Sequence, residues 1–287
     1  MKLLHIGLPK CGSTFLQKDI LPEVANKLNI KYQHHYWAIL NKERKKLYQL
    51  KNSKKLNYHL PNKFIISNQS MFSRGWEFFN IHESFKHIKN NFSKDTIILI
   101  VIRNPYEFFN SIYCQTIHDM NIVRPEKFFY HDKKSVNIRI KNKYNLYNFD
   151  YVKLISLYKS YFKKVVVVKY ENLQKLEFLK EIFNLDGEYL KYLKKNNYKI
   201  YNKSISRFAI NFILFLNNFF NVEKYDKFIR NNIKPSNKIF GKIKNKILRQ
   251  FLLRPLFQKK IDKILPYRKY RIKKSYIPIN MNKEISK

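Results

Sequence analysis

Apolar residues in this chain gather into five short runs separated by polar stretches long enough for helices. Residues 2–7 (KLLHIG), 30–37 (IKYQHHYW), 63–67 (KFIIS), 96–102 (TIILIVI) and 165–170 (VVVVKY) are the runs. TIILIVI and VVVV are continuous and β-branched, which predicts strands covered on both faces, as in a parallel sheet. The intervening stretches predict helices from Ser13 to about Leu28, over 38–50, from Pro105, over about 144–162, and from Glu171 onward. Pro105 suits a first helical position, where its missing N–H costs nothing. Strands alternating with helices predict a three-layer α/β/α fold around a parallel sheet of about five strands.

The alternation fades near Tyr225 into short basic and apolar pieces broken by Pro255, Pro266 and Pro278. The expected organisation is therefore an α/β domain over 1–222 and a basic, mostly helical extension over 223–287 packing on it. The most apolar stretch, 205–222, contains Arg207, Asn211, Asn217 and Asn218, so it predicts a core or interface helix rather than a membrane span.

In open parallel sheets, ligands bind beyond the carboxyl ends of the strands. Here those ends are Gly7–Thr14, His34–Trp37, Ser67–Ser70, Arg103–Asn104 and Tyr170–Glu171, and four of the five carry residues suited to anions or proton transfer. The first is the most specific. The chain has five glycines, and two of them, Gly7 and Gly12, frame the loop GLPKCGST in a G-x-x-x-x-G spacing. Such a loop between strand and helix exposes N–H groups that bind phosphate. It is not a magnesium-dependent triphosphate loop. Ser13 stands where that loop needs lysine, and TIILIVI ends in Arg103 where a metal-binding Asp belongs. A cation at that strand end suits a second phosphate held without metal.

Charge and cysteine content narrow the picture modestly. The chain has 58 Lys and Arg against 20 Asp and Glu, a formal net charge of +38, which favours anionic partners. Its accompanying wealth of Asn, Ile, Phe and Tyr is what AT-rich codons encode, so the charge is suggestive rather than diagnostic. Two cysteines, Cys11 and Cys114, are too few for a disulfide framework or a cysteine zinc site. MKLLHIGLPK meets Lys10 and Gly12 before a secretory apolar segment forms, so the expectation is a cytoplasmic protein. Its basic C-terminal segment offers a peripheral contact with anionic lipid at the inner membrane face.

Two motifs in order carry a family resemblance. GLPKCGST resembles the 5′-phosphosulfate loop of sulfotransferases that use 3′-phosphoadenosine 5′-phosphosulfate (PAPS). VIRNPYEFFNSIY resembles their 3′-phosphate motif, an arginine at a strand end and a serine eight residues on, here Arg103 and Ser111. Weaker matches are VVVVKYENL, NKSIS (202–206), LQKDILPEV and IYCQ, the last two fitting the bacterial glycan-type branch. The resemblance covers about residues 3–220. It implies sulfuryl transfer from PAPS to a hydroxyl of a carbohydrate or cell-surface glycan, in line and without metal. It places the donor on Pro9, Lys10, Cys11, Gly12, Ser13, Thr14, Arg103 and Ser111, with Lys10 at the leaving oxygen.

The acceptor's base is the departure from the family. Ser67-Asn68-Gln69 stands where bacterial members read Ser-x-Glu, and an amide is no base. His35 is the leading replacement, then His34, His82 or Glu83. Alternatively Gln69 orients the acceptor while the donor's own oxygens take the proton. The competing classes are a non-catalytic anion-binding relative and a basic nucleic-acid-binding protein, although nucleic acid is not the expected partner. His5 reads as a satisfied core histidine and Glu171 as a helix-start charge that braces the loop. Trp37, Trp76, Phe78 and Phe79 read mainly as core, with Trp76 the candidate for stacking a sugar. The pattern specifies neither the acceptor nor an oligomeric state.

Overall fold

A computed structural model describes residues 1–34, 61–71, 78, 80–118, 121–134, 140, 143–195, 204–220 and 267–277. The strands are β1 (Lys2–Ile6), β2 (Lys31–His34), β3 (Phe64–Asn68), β4 (Ile97–Ile102), β5 (Phe129–Tyr130), β6 (Tyr144–Asn145) and β7 (Val165–Lys169). Five of them form one parallel sheet in the order β2-β3-β1-β4-β7. The protein is thus α/β with a five-stranded parallel central sheet, compatible with a three-layer arrangement. Each of the five apolar runs contributes one strand.

Position in the sheet explains burial. Ile98 to Val101 in β4 and Leu3 to Ile6 in β1 are sealed on both faces, because both strands are central. β7 is an edge strand, and Val165 and Val167 are only partly covered, so its burial alternates. β1 and β4 lie side by side, with Ile6 in register with Ile100. The chain moves to opposite sides of the sheet from this point, which makes the β1–β4 carboxyl ends the switch point where open sheets bind ligands.

The helix predicted from Ser13 forms as Ser13–Phe15, a wider π-helical stretch Leu16–Ile20, and Leu21–Lys27. Pro22 supplies the reason: in a regular α-helix its ring would meet the carbonyl of Lys18, and a π-turn relieves that clash. The helix expected over 144–162 is shorter. Residues Tyr144–Asn145 are instead a strand paired with β5, and the helix proper is Tyr151–Lys159. Polar side chains compete for the backbone here. Asn145 accepts from Tyr147 N–H, and Asp150 caps the later helix by accepting from Lys153 N–H at 2.7 Å.

The apolar stretch 205–222 forms the helix Arg207–Phe220, which buries Ala209, Ile210 and Ile213. No described helix is long and apolar enough to cross a membrane. Residues 267–277 lie across the helix Pro105–His118. Asn110 donates to Tyr270 O and accepts from Ile272 N–H, both at 2.9 Å, and the Tyr106 hydroxyl donates to Ile272 O at 2.6 Å. The predicted helix 38–50 and the segment 223–266 lie outside the described residues.

Candidate functional site

Beyond β1 the chain turns through two left-handed residues, Lys10 (φ 61°) and Gly12 (φ 77°), before the helix begins at Ser13. Gly12 is the residue that tolerates this freely, and it is also crowded. A Cβ there would lie 2.5 Å from Leu173 Cδ2 and 3.1 Å from Tyr170 Cε2. Lys10 is a non-glycine residue in the same region, a conformation held only when its surroundings impose it. Gly7 begins the loop by donating to Asn68 O at 3.2 Å, and its Cα face packs on Gln69, 2.9 Å from where a Cβ would sit. The Gly12 carbonyl accepts from Phe15 and Leu16, so the turn leads directly into the helix.

Inside the loop the predicted residues divide by role. Ser13 is 2% exposed and its hydroxyl donates to Leu8 O at 3.2 Å, which closes the loop rather than offering that group outward. The Cys11 side chain is wholly buried against Tyr151. Burial pushes its thiol up to about 12, so it is neither nucleophile nor ligand, and Cys11 can serve only through its backbone. Pro9 is buried, while Lys10, Gly12 and Thr14 are partly exposed.

Arg103, at the end of β4, joins this loop. Its Nη1 donates to Lys10 O at 3.0 Å, and its guanidinium lies 4.5 Å over the Tyr170 ring. Its Nη2 is 3.7 Å from Glu107, while its Nε is buried with no hydrogen-bond partner. An orphaned guanidinium donor beside a glycine-bearing loop at a helix start fits an anion. Glu171 accepts from Asn104 N–H at 3.3 Å and so braces this strand end from a 3₁₀ turn, Tyr170–Lys175, rather than from an α-helix start.

The helix Pro105–His118 supplies the third side. Glu107, Ser111 and Gln115 are spaced by four residues and so form one stripe along it. At one end Glu107 pairs with Arg103 and with Lys269. Burial raises its carboxyl, but the neighbouring Lys269 and Arg103 charges outweigh that and hold it below its usual value. At the other end the Gln115 carbonyl accepts from Lys10 Nζ, and its amide lies 3.3 Å from His118 Nδ1. Ser111, half-buried, lies midway between the two contacts. Sequence reasoning gave neither Gln115 nor Tyr170 a role, although Gln115 is one helical turn beyond Ser111 on the same face.

Of the base candidates, Gln69 is exposed in the turn after β3, beside Gly7. His34 ends β2 opposite Ser67 in register. His82 and Glu83 are exposed in the first turn of the helix Ile81–Asn91. His35, Trp37, Trp76 and Phe79 lie outside the described residues, whereas Phe78 is core. His5 is sealed in the sheet with its Nδ1 2.6 Å from Ser67 Oγ. Burial lowers it to about 3, so it is a neutral core residue whose Nε2 has no partner.

No protein-family model matches this chain, and no curated protein matches it.

Proposed function

We propose that this protein is a PAPS-dependent sulfotransferase acting on a hydroxyl of a carbohydrate. The observation that carries the reading is the junction of its two phosphate motifs: Arg103 holds the Lys10 carbonyl while the Lys10 ammonium reaches the helix bearing Ser111. Two cationic groups and a set of loop amides thereby converge at one switch point, as a ligand with two separated phosphates requires.

When bound, PAPS supplies a sulfuryl group to the acceptor oxygen as the bond from sulfur to its 5′-phosphate oxygen breaks, leaving 3′,5′-adenosine bisphosphate. Such transfers are governed by positioning and charge stabilisation. Loop amides from Gly12 to Thr14 hold the 5′-phosphate, and the Thr14 hydroxyl adds a donor. Lys10 neutralises the leaving oxygen, to which end its ammonium exchanges Gln115 for the donor. Arg103 and Ser111 hold the 3′-phosphate, Arg103 through its unsatisfied Nε. Gln69, exposed beside the loop, orients the acceptor hydroxyl; an amide does not remove its proton, which passes to an oxygen of the departing 5′-phosphate as the oxygen–sulfur bond forms.

The test is transfer of labelled sulfate from PAPS over a panel of oligosaccharides, with Lys10→Ala as the inactive control. Labelled product that disappears in that variant supports the reading; no product from any acceptor defeats it. The lack of a titratable group at Gln69 favours one competing reading, an anion-binding protein without transfer. That protein would bind 3′,5′-adenosine bisphosphate and release no labelled product.

A further inference from the structure

A second concavity lies away from the loop. A cavity of about 530 Å³ opens between the helix Arg207–Phe220, the turn 124–126 and the segment 270–276. That volume falls among small-ligand sites, which run from about 300 to 1,000 Å³. Four cations line it, Arg124, Arg207, Arg271 and Lys273, against one carboxylate, Glu126. Among the described residues no carboxylate lies within ion-pair distance of Arg207, Arg271 or Lys273. Like charges gathered around a concavity repel one another, and a bound anion relieves that repulsion.

The walls are preformed. Asn110, 1% exposed, clamps the backbone on both sides of Arg271 by bonding Tyr270 O and Ile272 N–H. Arg207 N–H donates to Arg268 O at 2.7 Å, joining the helix to the same segment. The Tyr270 ring packs on Tyr113 with centroids 5.8 Å apart, which fixes an aromatic face in the lining. Binding therefore orders lining side chains rather than backbone.

We infer that this cavity is a site for an acidic sugar unit. The cations, three of them arginines with forked donors, select a carboxylate, sulfate or phosphate. Tyr270 and Tyr276 offer ring faces against which a pyranose packs. Glu126 and Asn211 decide between a sugar and a polyphosphate chain. A carboxylate and an amide oxygen accept hydrogen bonds from hydroxyls, so a ligand with a single acid group can set it on the cations and its hydroxyls on Glu126, whereas a polyphosphate filling the cavity would also set charge beside Glu126. A ligand with a ring, an acid group and free hydroxyls satisfies all three features. The site stands independently of sulfuryl transfer.

Titration calorimetry of the full chain with digalacturonate tests this, with neutral galactobiose, inorganic sulfate and a short oligothymidylate as comparisons. Digalacturonate should bind saturably and more tightly than the other three. The double variant Arg207→Ala/Lys273→Ala should weaken it at least about tenfold, since it removes two cationic donors from the lining. Lys10→Ala should leave it unchanged, separating this site from the donor loop. Unchanged affinity in the double variant overturns the proposal. So does sulfate binding as tightly as digalacturonate, which would make this a simple anion site. Oligothymidylate as the better ligand, with the same dependence on Arg207 and Lys273, would reassign the cavity to nucleic acid. A melting temperature equal to wild type qualifies the double variant; Lys273→Ala alone, on an exposed turn, carries the same comparison otherwise.

Discussion

The Arg103 guanidinium donates from Nη1 to the backbone carbonyl of Lys10 at 3.0 Å, across two neighbouring strand ends. Because a trans peptide points its C=O and N–H in opposite directions, drawing the Lys10 carbonyl toward Arg103 turns the Cys11 N–H away from it. The carbonyl of the left-handed Lys10 is thus held by a residue 93 positions away. Arg103 is at once a candidate phosphate ligand and a clamp on the backbone of the candidate loop.

Under the proposed function, substitution of Arg103 acts on both phosphates. In wild type, thermal stabilisation by 3′,5′-adenosine bisphosphate should exceed that by 5′-AMP at equal concentration, because stabilisation by a bound ligand grows with the logarithm of its affinity. Arg103→Ala should lower bisphosphate affinity by tenfold or more, about 1.5–3 kcal/mol, and abolish the preference. Arg103→Lys should not restore it, since a point charge cannot replace a fork that also stacks on Tyr170. A preference that survives Arg103→Ala would remove the 3′-phosphate assignment.

Gly12→Ala should destabilise the folded protein by about 1–3 kcal/mol, combining a strained φ with a contact 2.5 Å from Leu173. In a Leu173→Ala background the contact is gone and the backbone strain stays, so Gly12→Ala should cost less there than in wild type, yet still destabilise. Urea denaturation of wild type, the two single variants and the double variant measures this. No cost of Gly12→Ala in the Leu173→Ala background would show that φ contributes nothing; no cost in wild type would contradict the loop geometry.

Gln69→Glu places a titratable group at the exposed turn beside Gly7. Labelled-sulfate transfer should rise, within the range of about 10²–10⁴ that general base catalysis supplies. An unchanged rate would locate proton removal elsewhere, and alanine variants of His35, His82 and Glu83 would then identify the group.

His5 predicts a pH dependence of stability. Its folded value is depressed by burial to about 3 from a usual 6.5, so the folded state stays neutral while the unfolded chain gains a proton. Stability from this residue is full above pH 6.5 and falls toward pH 3, by about 1.4 kcal/mol per unit. His5→Asn keeps a partner for Ser67 and cannot titrate here, so its urea midpoint should fall less between pH 7 and 5. Parallel midpoints for the two proteins would refute the linkage.

Local pattern determined much of this molecule. β1, β3 and β4 are apolar runs buried at consecutive positions, β4 and β7 are mostly β-branched, and Gly7, Gly12 and Pro105 mark where the chain must turn or start a helix. Nearby composition also specified the order of elements, and hence which loops end the strands. Segment 144–150 escaped because Asn145 and Asp150 hydrogen-bond the backbone there and outweigh helical periodicity. Only the tertiary structure set β1 beside β4, a pairing between residues more than ninety positions apart. It alone brought Lys10 to Gln115 and laid Tyr270 and Ile272 on Asn110. The loop and the strand-end Arg103 could therefore be found from their own residues, but the contact that joins them and the basic cavity on the far segment could not. Their partners are joined by packing and hydrogen bonds across the fold, and no short stretch of sequence encodes such contacts.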